Sequence, residues 1–307
     1  MKNQKKVIKE IPLVLNALLA CFLWGSAVPM IKIGYDLFEI NGDDSASQVL
    51  FAGERFVLAG VLVIVLGSIL NKRVLLPKKN SAFPIVILSF FQTILQYVLF
   101  YIGLAHTTGV KSAIAVGAGV FVTIFISCFI FRNENFTTRK FVGCLIGLVG
   151  VIVANISGQI DGISSFSFMG DGFVILSTIA CSFASSLMKL YSKRESPWVL
   201  SGYQFLFGGV VMIIIGLFMG GHIKSVTGLG VLSIFYLSFA SAGAYTLWSF
   251  LLKNNPVSKV AVFGFMTPMF GVIMSAIMLK EYSNLNLYCI VALLMVCVGI
   301  VVVNKQK

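Results

Sequence analysis

Charge is what this sequence has least of. Asp, Glu, Lys and Arg make up 11% of its 307 residues, against about 25% in a soluble domain. At 58% hydrophobic, the chain lacks the polar residues to cover a globule in water, which excludes a soluble fold. No polar stretch is long enough to form a separate domain, so a catalytic domain outside a membrane is not expected. Histidine is nearly absent. The two present, His106 and His222, fall in loops, which speaks against a zinc site and against histidine proton relays. The six cysteines, Cys21, Cys128, Cys144, Cys181, Cys289 and Cys297, sit inside apolar runs without C-x-x-C spacing. They read as small hydrophobes rather than ligands or disulfides. A Gly-rich loop ending in Lys-Ser or Lys-Thr is missing, so nucleotide hydrolysis is not expected. No catalytic residue, metal or cofactor is expected.

Acid is scarcer than base. Lys and Arg number 23 and Asp and Glu 11, a net charge of +12. In a soluble protein that excess would suggest nucleic acid. Here the bases lie between apolar runs, where they set orientation and meet anionic lipid, so no nucleic-acid partner is expected. The N-terminus is basic, with Lys2, Lys5, Lys6 and Lys9, and an apolar run follows. That run is longer than a signal-peptide core and lacks a clear small-residue cleavage site, so it reads as a retained first helix.

Apolar runs are what the chain has in abundance. A bilayer core about 30 Å thick takes roughly 20 apolar residues per helix. Ten runs bounded by charges, Gly, Pro or Asn meet that need: Leu13–Ile33, Val49–Leu70, Phe83–Leu104, Ser112–Phe131, Phe141–Ile156, Gly172–Tyr191, Trp198–Met219, Gly230–Leu252, Lys259–Leu279 and Leu285–Val303. Each is helix, because backbone groups in lipid must be satisfied within the span. The short alternating segments of a β-barrel are absent. With the N-terminus in the cytoplasm, 18 of the 23 basic residues fall on the inner side, and only Lys32, Arg55, Lys111, Lys224 and Lys280 at outer ends. The first outer loop carries Asp36, Glu39, Asp43 and Asp44 instead. This split predicts a multi-pass protein of the cell membrane with both termini cytoplasmic.

The two halves resemble each other. Gly109–Glu134 matches Pro256–Glu281, and Gly147–Asn155 matches Met295–Asn304. Phe121 aligns with Phe270 and Asn155 with Asn304, each pair 149 apart, while Glu134 and Glu281 are 147 apart, so a short gap intervenes. Five helices per half is an odd number, so the second half enters from the opposite side. The expected fold is all-α, two inverted five-helix repeats over residues 11–156 and 170–304. Such repeats mark alternating-access carriers with a midplane site between the halves. A duplicated static scaffold is the plainer reading.

Four segments carry a family resemblance: "LWGSAVPMIK" (Leu23–Lys32), "RFVLAG" (Arg55–Gly60), the long stretch Tyr245–Glu281, and the "VGIVVVN" tail. In order and at this spacing, from about Leu13 to Asn304, the chain resembles the EamA-type branch of the drug/metabolite transporter superfamily. The resemblance implies export of an amino acid, related metabolite or toxic organic compound, driven by an ion gradient or by the substrate's own. Where the first repeat of that family usually has a proline, this chain has Gly119 or Phe121, so a helix break at Pro268 need not have a symmetric partner.

Aromatic residues mark a candidate pocket. Trp24 lies mid-helix in the first span, Tyr97 and Tyr101 share a face of the third, and Tyr245 and Trp248 share a face of the eighth. Deep Trp and Tyr need partners for N–H and O–H, so lipid-facing positions are unfavourable. They could bind an aromatic or cationic metabolite, or simply pack. Gln92 and Gln96 could bind substrate or join helices. Tyr203 and Gln204 could cap or gate the seventh helix. Glu54 and Arg55 lie within the second span, where charge is costly. Glu54 could carry a proton or pair with a cation, and Arg55 could bind a carboxylate or serve the scaffold. Pro29 and Pro268 remove backbone donors and kink their helices, as hinges or within a static bundle. Gly143-x-x-x-Gly147 suits close contact inside the bundle or at a homodimer face. The expected partners are a small-molecule substrate, the lipid bilayer and protons. Alternatives are uptake of a small amine or nutrient by the same fold, and a membrane-embedded enzyme or lipid-handling protein. The last would want clustered His, Asp or Glu in the spans, where only Glu54 qualifies clearly.

Overall fold

A backbone in lipid satisfies its own N–H and C=O groups most simply as helix, and the computed structural model is helical throughout. It describes residues 13–107, 109–156, 166–280 and 287–304. The N-terminal lysines, Glu281, Lys305 and Lys307 lie outside the described residues, as do the side chains of Lys111, Asn155 and Cys289. Among the described residues there is no strand. The helices are α1 Leu13–Phe38, α2 Ser45–Asn71, α3 Lys79–Ala105, α4 Gly109–Phe125, α5 Thr138–Ile156, α6 Phe168–Tyr191, α7 Pro197–Phe218, α8 Gly228–Asn254, α9 Val257–Met278 and α10 Leu287–Asn304. Seven of them, α1 to α3 and α6 to α9, are long and apolar enough to cross a membrane; Ile114–Ile130 and Ile290–Asn304 are shorter apolar stretches.

Local chemistry sets the ends. Asp44 caps α2 by accepting from the Ser47 amide at 2.9 Å, and Thr227 caps α8 by accepting from the Gly230 amide at 3.0 Å. Pro197 opens α7, where its missing N–H costs nothing. Lys72 ends α2 in the left-handed conformation at φ 51°. Several spans depart from regular α-helix. α3 widens to a π-helix over Ser89–Leu95, and α4 ends in a π turn, Ile126–Ile130. α9 tightens to 3-10 geometry over Val262–Phe265, just where the Pro268 ring would crowd the carbonyl one turn back.

Lipid tails are as apolar as leucine, so helices associate in a bilayer through close packing and small residues. α2 and α7 show this most clearly. Gly53, Gly60 and Gly67 recur every seven residues on α2, as do Gly202, Gly209 and Gly216 on α7, and each α2 glycine precedes an α7 glycine by 149 residues. A Cβ on Gly53 would stand 2.9 Å from the Gly209 carbonyl, and one on Gly60 would stand 2.8 Å from that of Gly202. α5 and α10 meet in the same way. A Cβ on Gly143 would lie 2.8 Å from the Gly299 carbonyl, and one on Gly150 would lie 3.0 Å from that of Ala292. α1 packs on α8 and α9, and α6 packs on α3 and α4. The α1–α9 crossing is tightest at Gly25, whose Cβ would sit 2.5 Å from Phe270 Cβ.

The end of the bundle richest in Lys and Arg is tied by two carboxylates, one half-buried and one buried. Glu134, after α4, accepts from Lys140 Nζ at 2.6 Å, from the Ser258 amide at 3.0 Å and from the Ser258 hydroxyl. Glu195, between α6 and α7, accepts from Ser81 Oγ at 2.5 Å and from the Lys78 amide at 3.2 Å.

Candidate functional site

Where α2, α3, α7 and α8 approach, four rings fill the centre. Phe56 on α2 stacks on Phe205 on α7, centroids 5.2 Å apart and planes 15° from parallel. Tyr97 on α3 lies 4.5 Å from Phe56, and Tyr245 on α8 lies 5.0 Å from Phe205. The two tyrosine hydroxyls close the set at 2.7 Å. Trp24 on α1 adds an edge, 5.0 Å from Tyr245 and 5.1 Å from Trp248. Tyr101 stands one turn along from Tyr97, 6.1 Å away. The five aromatic residues expected from the sequence, Trp24, Tyr97, Tyr101, Tyr245 and Trp248, therefore belong to one connected cluster. Tyr101, Tyr245 and Trp248 are buried, while Trp24 is half-buried. The Trp24 indole N–H has no hydrogen-bond partner among the described residues.

Arg55 stands at the edge of this cluster and is only 2% exposed. Its guanidinium lies 4.6 Å over the Phe56 ring and 5.9 Å from that of Tyr97. Tyr101 and Tyr245 adjoin Tyr97 in the same cluster, and Tyr35 packs against it from α1. Cation–π attraction of this kind is worth about 2 kcal/mol when desolvated. It offsets only part of the several kcal/mol needed to bury a cation. Among the described residues no hydrogen bond or ion pair reaches the guanidinium, and Nε is buried without a partner. Glu54 precedes Arg55 but makes no ion pair with it, the guanidinium being turned over the ring on its other side, Phe56. Glu54 is half-buried.

The other expected residues are distributed around this centre. Gln92 is buried inside the π-helical stretch of α3, Gln96 follows it, and both amide oxygens lack a partner among the described residues. Gln204, beside Phe205, accepts from Thr93 Oγ1 at 3.3 Å and leaves its own amide nitrogen unpaired. Tyr203 donates to the Leu75 carbonyl at 3.1 Å. Pro29 and Pro268 flank the α1–α9 crossing at Gly25 and Phe270. Among the described residues no three His, Cys, Asp or Glu side chains gather as a metal would require. Sequence reasoning missed Tyr35, Phe56 and Phe205. A signal for the last two was present, because they are separated by the same 149 residues as Phe121 and Phe270.

The arrangement is a desolvated cation held by rings, set between helices from both ends of the chain. The model of the EamA-like transporter family matches the sequence twice, over residues 11–156 and 168–305. The chain belongs to the EamA-like transporter family. Relatives of this EamA-like transporter include the uncharacterized transporter YvbV of Bacillus subtilis (strain 168), 26% identical over 98% of this chain and 95% of that protein. The uncharacterized transporter YetK of the same organism is 24% identical over 84% and 79%. The uncharacterized inner membrane transporter YedA of Escherichia coli (strain K12) is 26% identical over 84% and 80%. A solved crystal structure shares the fold, with a TM-score of 0.77 at 14% identity over 95% of this chain and 96% of that one. This EamA-like transporter is thus a multi-pass membrane protein of a family whose members are transporters.

Proposed function

We propose that the protein is a secondary carrier that exports a small organic metabolite, such as an amino acid or related compound, by alternating access. Residues 11–156 and 170–304 are its two inverted repeats, and both termini lie in the cytoplasm. One observation carries this reading: positions related by the 149-residue offset meet each other at the centre. Phe56 stacks on Phe205, its own counterpart. The contact of Gly53 with Gly209 reappears, with each glycine replaced by its counterpart, as Gly202 with Gly60. The contact of Gly143 with Gly299 reappears as Ala292 with Gly150. Pairings that repeat under exchange of the halves are what a two-fold axis relating them produces; five helices per half would set that axis in the membrane plane, which supports a substrate site between the repeats. The tyrosine pair across α3 and α8 supports the same centre. The packing of α1 on α8 and α9 supports it too, because α6 packs in the corresponding way on α3 and α4.

Counterflow in proteoliposomes tests the proposal. Vesicles holding the purified protein and a labelled amino-acid and organic-acid mixture should exchange at least one component saturably with the outside. A protein that binds ligands but moves none, in either direction, is a receptor or scaffold and not a carrier.

A further inference from the structure

We propose that Arg55 is the anchor for a carboxylate, and that within the small organic metabolites named above the site prefers an organic monoanion with a flat apolar body over a zwitterionic amino acid or a cation. This rests on the carrier reading above. A guanidinium presents five N–H donors and cannot shed its charge in a protein. Inside proteins such a group is nearly always matched to a carboxylate or phosphate, because an unmatched buried charge is among the costliest features a fold can carry. Arg55 is unmatched. It is buried, it lies over Phe56 and beside Tyr97, and none of the described carboxylates pairs with it. Glu134 and Glu195, which are paired, lie at the far, basic end. Among the described residues its partner's place is open to a ligand whose chemistry is complementary to a planar fork of donors, which a carboxylate matches in bidentate fashion.

The surroundings narrow the class further. An α-amino acid brings an ammonium that needs its own acceptor. The shell around Arg55 offers tyrosine hydroxyls and ring faces, and the guanidinium already lies over the Phe56 face. Glu54, on the same helix, makes no ion pair with it. Beyond the tyrosines the cluster continues to Trp24 and Trp248. The unpaired Trp24 N–H is a second donor for an oxygen on the ligand. A charged head at Arg55 and a planar body toward Trp24 fit this order of residues.

Four probes with a shared phenyl ring separate the charge classes: phenylacetate, phenylalanine, phenethylamine and phenylacetamide. Each is added at millimolar concentration to the full chain in lipid nanodiscs, and thermal unfolding and tryptophan fluorescence are followed against concentration. Phenylacetate should stabilise the protein and shift the fluorescence, phenylalanine should do so more weakly, and the amine and amide should not. Arg55→Gln should weaken phenylacetate about ten- to a hundredfold, as expected for loss of a charge-assisted bond. It should leave the unliganded melting temperature equal or higher, because an unpaired buried charge is removed. Arg55→Lys, which keeps the charge and loses the fork, should retain the order of preference at lower affinity, and it serves if the glutamine variant does not fold. No response to phenylacetate in the wild type, an equal response in Arg55→Gln, or a stronger response to phenethylamine overturns the proposal. Phenylacetate binding without counterflow would sink the carrier reading and leave the anion site standing. Counterflow of phenethylamine without phenylacetate binding would do the reverse.

Discussion

The hydroxyls of Tyr97 and Tyr245 meet 2.7 Å apart and join α3 to α8 across the centre of the bundle. In a bilayer such bonds average about 0.6 kcal/mol by double-mutant cycles, but a buried hydroxyl left alone costs about 1–3 kcal/mol. Tyr97→Phe and Tyr245→Phe should therefore each lower the melting temperature in detergent, and the double variant should lose less than the sum of the two. Additive losses would show that the two hydroxyls do not depend on each other.

Aromatic truncations should divide by burial. Tyr101 is among the largest fully buried side chains, so Tyr101→Ala should cost about 3 kcal/mol or more as a cavity in the core and be read chiefly as lost stability. Trp24 is half-buried with a free N–H. Trp24→Ala should keep most of the stability and weaken half-saturation of flux by several-fold to about thirtyfold, from about 0.5–2 kcal/mol per ring. Melting curves and concentration dependence on the same preparations distinguish the two outcomes.

Glu134 makes the basic end sensitive to acid. Burial pushes its carboxyl up, but hydrogen bonds from Lys140 and Ser258 and the Lys140 charge outweigh burial and hold the carboxyl below the ordinary carboxylate range. A group depressed in the folded state contributes stability above its unfolded value and loses it as pH falls through the folded one. Wild-type melting temperature should therefore fall as pH drops below the ordinary carboxylate range. Glu134→Gln should be less stable at neutral pH and show a shallower acid slope. An unchanged slope in the variant would assign the acid response elsewhere.

The α2–α7 seam has no room for a methyl group. A Cβ on Gly60 would come within 2.6 Å of the Leu206 amide nitrogen and 2.8 Å of the Gly202 carbonyl, and both are backbone atoms that cannot rotate away. Gly60→Ala should cost about 1–3 kcal/mol. Gly42→Ala, with nothing within 4 Å, should leave the melting temperature unchanged.

Much of this architecture was legible in the sequence because hydropathy and helix length are local properties. Leu13–Ile33 grew to Leu13–Phe38 and Val49–Leu70 to Ser45–Asn71. The extra residues are the polar turns at the interface, such as the Asp44 cap, which an apolar run leaves out. The aromatic cluster was legible in part, because period and span place Tyr97 and Tyr101 on one face. That Arg55 is buried under rings without a carboxylate was not legible, since the neighbours come from four helices and no local pattern encodes which faces meet. The same holds for Glu134 and Ser258, which are 124 residues apart. The π-helix over Ser89–Leu95 was not visible either, as its residues resemble those of any apolar helix.

Arg55's solitude has an electrical consequence. The guanidinium stays with the protein, so a cycle that returns empty moves the charge of the cargo alone. Across an inside-negative membrane, one negative charge travelling outward gains about 2.3 kcal/mol per 100 mV, equivalent to roughly a fiftyfold concentration ratio. Under the proposed export of an organic anion, a carrier with one unneutralised cation at membrane depth would act as a voltage-driven valve for anions. It would expel them at the expense of the resting potential, with no second ion required to accompany them.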